Sequence, residues 1–362
     1  MLLGLTAVFA VPSILRVLIS SRRSNSTYTA YKRYLSTLLH TVSWLENELK
    51  PGSISWRSLM TVRSRHVRGS LAAKLKGQGI ISQRDLALTQ FGFIGFSLSK
   101  TDAFGIRQME DGDWEAYNHF WRVIGHVIGI EDRYNICRKD VEETRQVCQI
   151  LLDRVFTPCM ENVPEYFEHM ARVMLEGMWC VNPTVHVDAM IYWTKYLCNV
   201  PGFVYTESDR IDLQRKIMQK LNGKSDDIGV ETTSLMIAKP LIELPKGTPR
   251  LLYLRDYNNM DTNPTYSKLP LAAKYKLALN AIIATFYSSY IGRIFLNLNF
   301  RFSLLLMKYF PYMAFFKFGV SASYVKIFNE DPTDNEEPKP NAEYYKERPP
   351  LPLYKELLSL LW

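Results

Sequence analysis

The strongest constraint on the fold is a helical period of apolar residues that repeats along most of the chain. Apolar side chains spaced three or four positions apart share one face of an α-helix, whereas a half-buried strand alternates strictly. The pair Ser82 and Asp85 matches a capping box and predicts a helix start there. The other predicted helices cover residues 31–49, 111–129, 140–156, 164–178, 185–197 and 208–221. No series of alternating segments with hairpin turns stands out, so we predict an all-α helical bundle.

Composition places the chain among packed globular proteins. Of its 362 residues, 47% are hydrophobic and 13% are aromatic, which argues against disorder. The five cysteines are an odd number and include no C-x-x-C pair, so they are typical of reduced, buried thiols. We therefore expect the active region to face a reducing compartment.

Three regions follow from changes in composition along the chain. Residues 1–225 hold most of the periodic segments and form the predicted main domain. Residues 226–328 form a predicted helical C-terminal extension, with long loops expected across 223–270. Residues 329–362 form an acidic, proline-rich tail, which we expect to be extended or mobile, with a short terminal helix.

The net charge of +8 is distributed unevenly. The first acidic residue is Glu46, and five lysines and arginines precede it within an apolar segment. A basic, apolar segment suits an anionic membrane surface. Nucleic-acid binding has little support, because no RNP-like, zinc-finger or lysine-rich pattern is present. We therefore predict a membrane surface, and no nucleic acid, among the partners.

Two apolar segments bear on how a membrane would be reached. Residues 1–20 lack a basic leader, and Pro12 and Arg16 interrupt the apolar run, so a core or membrane-facing helix is favoured over a cleaved signal. Residues 291–320 combine aromatic and aliphatic residues with regularly spaced cations, as a surface at a membrane interface does. A core helix pair with snorkelling cations explains the same pattern, and both interpretations stay open.

Several common catalytic motifs are absent. The sequence contains no H-E-x-x-H, G-x-S-x-G, Walker or G-x-G-x-x-G pattern. A carboxylate-bridged di-iron bundle needs Glu-x-x-His pairs, and none of the six histidines has a glutamate three positions before it. The histidines themselves remain as candidate metal ligands.

His66 differs from the other histidines because three arginines surround it within residues 62–68. An imidazole on a helix face can bind haem iron, and guanidinium groups bind carboxylates such as the two haem propionates. Arg63 precedes His66 by one turn and shares its face, whereas Arg65 and Arg68 are expected to point elsewhere. The alternative interpretation is a solvated basic face.

A polar stripe on the preceding predicted helix offers a partner for His66. Arg33, Ser36, Thr37 and His40 follow one another at helical spacing within residues 31–49. Such a stripe can line a distal pocket opposite an iron ligand, or it can be a partly solvated helix face.

Together these segments resemble the family that joins the bacterial latex-clearing protein, a rubber oxygenase, with a fungal ER-bound oxygenase of mycophenolic acid synthesis. Arg63 and His66 match its R-x-x-H motif, and residues 33–37 resemble its distal R-x-x-K-T motif. The blocks at 81–96 and 119–137, which include Trp121 and Asn135, are similar to later family blocks. The resemblance covers about residues 10–200.

This resemblance implies a partly globin-like helical core that binds haem b and uses O2 to cleave carbon–carbon double bonds in isoprenoid chains. It makes His66 the proximal iron ligand and the only metal-binding residue. Arg33 and Thr37 would line the distal pocket, with Arg33 also near the haem. Arg63 would stabilise the proximal segment or bind a propionate.

Two departures from the family pattern affect the predicted reaction. Ser36 stands where the rubber enzyme has its distal lysine, and no acidic residue precedes Glu46 to serve as the upstream glutamate base. Another group, such as His40, would have to act as the base. We predict a haem b-dependent oxygenase acting on an isoprenoid or other lipid at the endoplasmic reticulum or another intracellular membrane. The alternative is a non-catalytic helical protein that binds haem or lipid, or associates with a membrane.

Overall fold

Helices make up nearly all the regular structure. The computed structural model describes residues 1–107, 109–200 and 264–345, together with residues 352, 354, 355 and 360. Within these residues no strand is present, so the all-α prediction is confirmed. The predicted helix at 208–221, most of the predicted loops at 223–270 and most of the predicted terminal helix lie outside the described residues.

The helices follow the predicted order. They are α1 (Leu2–Phe9), α2 (Pro12–Ser20), α3 (Thr27–Glu46), α4 (Ile54–Leu75), α5 (Gln83–Ser99), α6 (Asp111–Ile128), α7 (Val141–Leu151), α8 (Thr157–Glu161), α9 (Phe167–Met178), α10 (Val187–Leu197), α11 (Pro264–Ser267), α12 (Leu271–Tyr287), α13 (Tyr290–Tyr309), α14 (Tyr312–Phe318) and α15 (Val320–Ser323). Ser82 and Asp85 form the predicted capping box of α5. Gly129 ends α6 in the left-handed conformation, with φ of 116°.

The apolar N-terminal segment lies in the core rather than on the surface. Helix α1 packs against α5 and α10, and Ala7, Val8 and Phe9 are almost completely buried. The crossing with α5 is close, since a Cβ on Gly4 would lie 1.9 Å from the carbonyl oxygen of Gly92. Of the two predicted locations for this segment, the core is therefore the one observed.

No individual helix in the described ranges is both long enough and apolar enough to cross a membrane. Helices α1 and α2 reach that threshold only when they are taken together, and the chain bends by 97° between them.

Helix α3 holds the centre of the bundle. It packs against α9 on one side and α4 on the other. Gly177 allows the close approach of α9, because a Cβ there would lie 2.8 Å from the backbone nitrogen of Tyr31. Helix α4 also contacts α2 and α6, so α3 and α4 together form two adjacent walls of the space between these helices.

The C-terminal part of the chain returns to α3. The phenol of Tyr31 donates to the carbonyl oxygen of Ser323 at 2.7 Å, and its ring lies 5.1 Å from that of Phe318, centroid to centroid. Residues 326–336, here called the strap, then run past the end of α2, the start of α3 and the middle of α4. The strap has no helical structure, in agreement with the extended alternative predicted for the acidic tail.

Candidate functional site

A cavity of about 570 Å³ lies between helices α1 to α6 and is bordered by the strap. Its volume is within the usual range for pockets that bind small molecules. Most of the wall is apolar: the lining includes Leu5, Val8, Phe9, Ile14, Leu18, Phe93, Trp121 and Ile124. The size and lining suit a largely hydrophobic ligand.

His66 faces this cavity from α4. Val62, Gly69 and Ala73, at helical spacing around it, line the same wall. Its Nδ1 atom is buried and has no hydrogen-bond partner among the described residues. Burial, together with the Arg33 guanidinium, lowers the pKa of His66 to about 4. At neutral pH the imidazole is therefore uncharged, which is the form that binds metals.

The polar stripe of α3 faces the same cavity. Arg33, Ser36, Thr37 and His40 all line it, so the structure brings these four side chains and His66 around one space. Arg33 donates to the Ser21 hydroxyl at 3.1 Å, and Thr37 donates to the Arg33 carbonyl oxygen at 3.0 Å. The Ser36 hydroxyl is buried without a hydrogen-bond partner among the described residues. Two unpartnered polar atoms, on α3 and on α4, thus belong to the wall of one cavity.

His40 is held far more tightly than His66. Its Nδ1 atom lies 2.6 Å from the Ser58 hydroxyl, which also accepts a hydrogen bond from Trp44 at 2.7 Å. Its Nε2 atom lies 3.4 Å from a guanidinium nitrogen of Arg65. Burial and the Arg65 charge lower the pKa of His40 to about 4. A histidine with this pKa is a weaker base than an ordinary one.

The three arginines around His66 are oriented differently from the sequence-based prediction. Arg65 and Arg68, which were expected to point elsewhere, line the cavity, and that expectation was wrong. Arg63 is not among the lining residues; it donates to the Val127 carbonyl oxygen at 3.0 Å and connects α4 to the end of α6. The cavity lies on the flank of α4 that carries Gly69, not on the flank that carries Arg63. Arg63 therefore stands where it can stabilise the proximal segment, one of its two predicted roles.

The strap supplies acidic groups to the rim of the cavity. Glu330 pairs with Arg68 at 2.8 Å and with Arg23 at 3.3 Å, and these two cations lower its pKa. Asp331 lies 3.9 Å from Arg65. Sequence analysis missed these rim residues because about 260 positions separate the strap from α4 and no local pattern links them.

An amide network explains the structural importance of two of the sequence blocks noted above. The side-chain amide of Gln90 donates to the Asn135 side chain at 3.1 Å and to the Trp121 carbonyl oxygen at 3.0 Å. A Cβ on Gly125 would lie 2.6 Å from that Gln90 nitrogen, so a larger residue would displace the amide. Gln90, Trp121 and Gly125 all line the cavity, and the network therefore sets the shape of this wall.

The donor set fits haem better than a metal ion held by several side chains. No group of three or more His, Cys, Asp and Glu side chains is arranged to hold a metal ion in the part of the chain that the structure describes. Haem iron needs only one protein ligand on its proximal side. His66 has a ring nitrogen to offer, and Arg33, Arg65 and Arg68 on the cavity wall offer counter-ions for propionates.

Comparisons with known proteins give one partial similarity. No model of a protein family matches the chain, and no solved structure matches it. A 90-residue part of the chain is 31% identical to the rubber oxygenase of Streptomyces sp. (strain K30). This match covers 25% of the chain and 20% of that relative, so it supports at most a distant, partial relationship to rubber oxygenase.

Proposed function

We propose that the protein is a haem b-dependent oxygenase that uses O2 to cleave a carbon–carbon double bond in an isoprenoid or other lipid. The observation that carries the proposal is His66, an uncharged imidazole on the wall of a largely apolar cavity, with one ring nitrogen that has no partner among residues 1–107, 109–200 and 264–345. The partial similarity to a rubber oxygenase supports the same class of reaction.

The residues present divide into those that would hold the haem and those that would serve the substrate. His66 would bind the iron, and Arg65, Arg68 and Arg33 would neutralise the propionates. Bound haem supplies the binding and activation of O2. The apolar walls would exclude water and accept the hydrocarbon chain of the substrate.

The α3 stripe supplies polar groups on the wall next to α4. Arg33 and Thr37 remain the predicted distal residues, and the free hydroxyl of Ser36 adds a hydrogen-bond donor beside them. His40 remains the predicted base, although its pKa of about 4 and its contacts to Ser58 and Arg65 make proton uptake unfavourable. A proton removed during the reaction would therefore be transferred to His40 only transiently.

Absorption spectroscopy of the purified full-length chain tests the haem site. We expect a Soret band, either as purified or after addition of haemin, and we expect His66→Ala to remove most of it. The matched control is His119→Ala, because His119 is an exposed histidine of α6. A His66→Ala protein that keeps the full band would refute the assignment of the iron ligand.

A second function is favoured by the distal side of the cavity. Ser36 and Thr37 cannot act as bases at neutral pH, and His40 is a weak one. A haem or lipid carrier without turnover fits these properties. Oxygen uptake measured with a farnesyl-containing substrate separates the two: sustained uptake that depends on His66 supports the oxygenase, and its absence in a haem-loaded protein supports the carrier.

We propose that this activity takes place at the endoplasmic reticulum or another intracellular membrane, and the surface of α13 supports the membrane part of this proposal. Residues 294–302 of this helix are exposed on every side within the described part of the chain, which favours the interfacial interpretation for this part of the segment. Later residues, such as Met307 and Ala314, are buried in a cluster with Tyr31, as the core interpretation predicts. Between residues 264 and 328 the sequence has eight lysines and arginines and no acidic residue. Exposed aromatic and aliphatic side chains, among them Phe295 and Phe302, complete a surface of the kind that binds anionic lipids.

A further inference from the structure

Ion pairs between the strap and three arginines close the rim of the cavity, and they differ in exposure and in distance. Glu330 contacts Arg68 and Arg23, but more than half of the Glu330 and Arg68 side-chain surfaces remains exposed to solvent. Asp331 and Arg65 are largely buried, yet their charged atoms are 3.9 Å apart, which is longer than a charge-assisted hydrogen bond. Exposed ion pairs contribute little to stability, so Glu330 is weakly held. Asp331 is buried, but it lacks a short hydrogen bond to Arg65.

The strap is fixed more firmly on either side of these two residues. On the C-terminal side, the Asp334 carboxylate accepts hydrogen bonds from the Ser26 backbone at 3.1 Å and the Thr29 hydroxyl at 2.5 Å. The Asp334 backbone nitrogen also donates to the Arg22 carbonyl oxygen at 3.0 Å. On the N-terminal side, Arg65 donates to the backbone carbonyl oxygen of Ile327 at 3.1 Å. The same guanidinium also donates to the carbonyl oxygen of Asn329. Residues 329–333 thus form a short span between two anchored ends, and its contacts to the rim run through Arg23, Arg65 and Arg68.

The same arginines belong to the wall of a largely apolar cavity. Arg23, Arg65 and Arg68 line the cavity together with Glu330 and Asp331. A hydrophobic ligand that carries a carboxylate would place its chain or ring against the apolar wall and its charge against these guanidinium groups. That charge would compete with the strap for the same hydrogen-bond donors.

We propose that Glu330 and Asp331 are exchangeable counter-ions, and that the carboxylate of a hydrophobic ligand displaces them from Arg23, Arg65 and Arg68. In this exchange residues 329–333 leave the rim, while the contacts of Asp334 keep the strap attached to α3. The ligand carboxylate can come from a haem propionate, in which case the inference rests on the proposed function, or from an acidic lipid. The two propionates of haem would replace the two strap carboxylates without changing the charge at the rim, whereas an acidic lipid would replace them with a single carboxylate.

Affinity measurements on the full-length chain distinguish the two ligand sources. The probes are haemin and its dimethyl ester, and oleate and oleyl alcohol, so that each acid has an uncharged counterpart. The variant Glu330→Gln with Asp331→Asn removes the competing charges. We expect it to bind haemin, oleate or both about threefold to tenfold more tightly than the wild type, with no gain for the uncharged probes. The control is Glu336→Gln with Glu337→Gln. It makes the same charge change at two exposed residues, at and just after the end of the strap, that do not line the cavity.

The strap itself is followed by hydrogen–deuterium exchange in the wild type. Saturation with the acid that binds should speed exchange in residues 329–333 and leave the Asp334 amide protected, because its bond to Arg22 is retained. The inference is overturned if the double variant gains no affinity for either acid, if it gains equally for the uncharged probes, or if the exchange of 329–333 does not change. It is also overturned if neither acid binds the wild type or the variant. Loss of the Soret band in His66→Ala, with oleate binding unchanged, would bear on the iron ligand of the proposed function and not on the exchange of counter-ions.

Discussion

The buried histidine of α3 should make the protein sensitive to acid in a way that one substitution can remove. His40 is 1% exposed and its pKa in the folded protein is about 4, against an ordinary value of 6.5. Between these two values the unfolded chain binds a proton at this position and the folded chain does not. The free energy of unfolding therefore falls as the pH drops from about 6.5 to about 4, and this contribution is fully present above that window.

The size of the effect follows from the two pKa values. At pH 5 this histidine is almost fully protonated in the unfolded chain and mostly neutral in the folded protein. The free energy of unfolding is therefore about 2 kcal/mol lower at pH 5 than at pH 7. His66 has the same lowered pKa and should add a similar amount in the haem-free protein. The variant His40→Gln removes one of the two contributions. Its absolute stability at neutral pH should also fall, by about 1–3 kcal/mol, because Ser58 and Arg65 lose a hydrogen-bond partner.

Urea unfolding of the haem-free chain, followed by circular dichroism at pH 7 and pH 5, measures this difference. From pH 7 to pH 5 the free energy of unfolding of His40→Gln should fall by about 2 kcal/mol less than that of the wild type. His119→Gln is the control, since it removes an exposed histidine from the surface of α6. If His40→Gln and the wild type lose the same free energy over this range, His40 is not held neutral by burial, and the case against it as an efficient base fails as well.

Three other predictions test the packing, the exposed helix and the cysteines. Gly177→Ala should lower the free energy of unfolding by about 1–3 kcal/mol, because its Cβ would meet the backbone of α3. The control Gly112→Ala places a Cβ in open space on α6 and should raise the free energy of unfolding slightly. Chemical denaturation measures both. Phe302→Ser on α13 should weaken sedimentation with phosphatidylserine-containing vesicles several-fold, whereas Leu71→Ser at a similarly exposed position of α4 should not. Equal effects would exclude α13 as the lipid-binding surface. All five cysteines are buried, so a thiol reagent should label the native protein slowly. It should modify five groups per chain only in denaturant. Rapid labelling of the native protein would contradict the buried positions of the cysteines.

The sequence predicted those features that depend on neighbouring residues. The capping box at Ser82 and the periodic helices were evident because caps and helical faces repeat over three or four positions. The same local geometry placed the α3 stripe and His66 on helix faces, and both faces line one cavity. Their roles in catalysis and haem binding stay predictions.

Features that depend on tertiary packing were not predictable in this way. The directions of Arg65 and Arg68 depend on which flank of α4 borders the cavity, and that flank is set by the positions of α1, α2 and α6. The sequence of the N-terminal segment suits a core helix and a membrane-facing helix equally well, because the protein core and the lipid bilayer are both apolar. The pairing of Glu330 with Arg23 and Arg68 brings together residues from opposite ends of the chain.

That pairing has a consequence for the order of events during synthesis. Arg23 and Glu330 are 307 positions apart, so the ribosome delivers the arginines of α2–α4 long before their acidic neighbours. A nascent bundle, and any C-terminally truncated version of it, would present an open and strongly basic mouth to anionic molecules in the cell. In the folded protein Glu330 and Asp331 lie against these arginines, so an approaching anion meets a mouth whose charge is already partly neutralised.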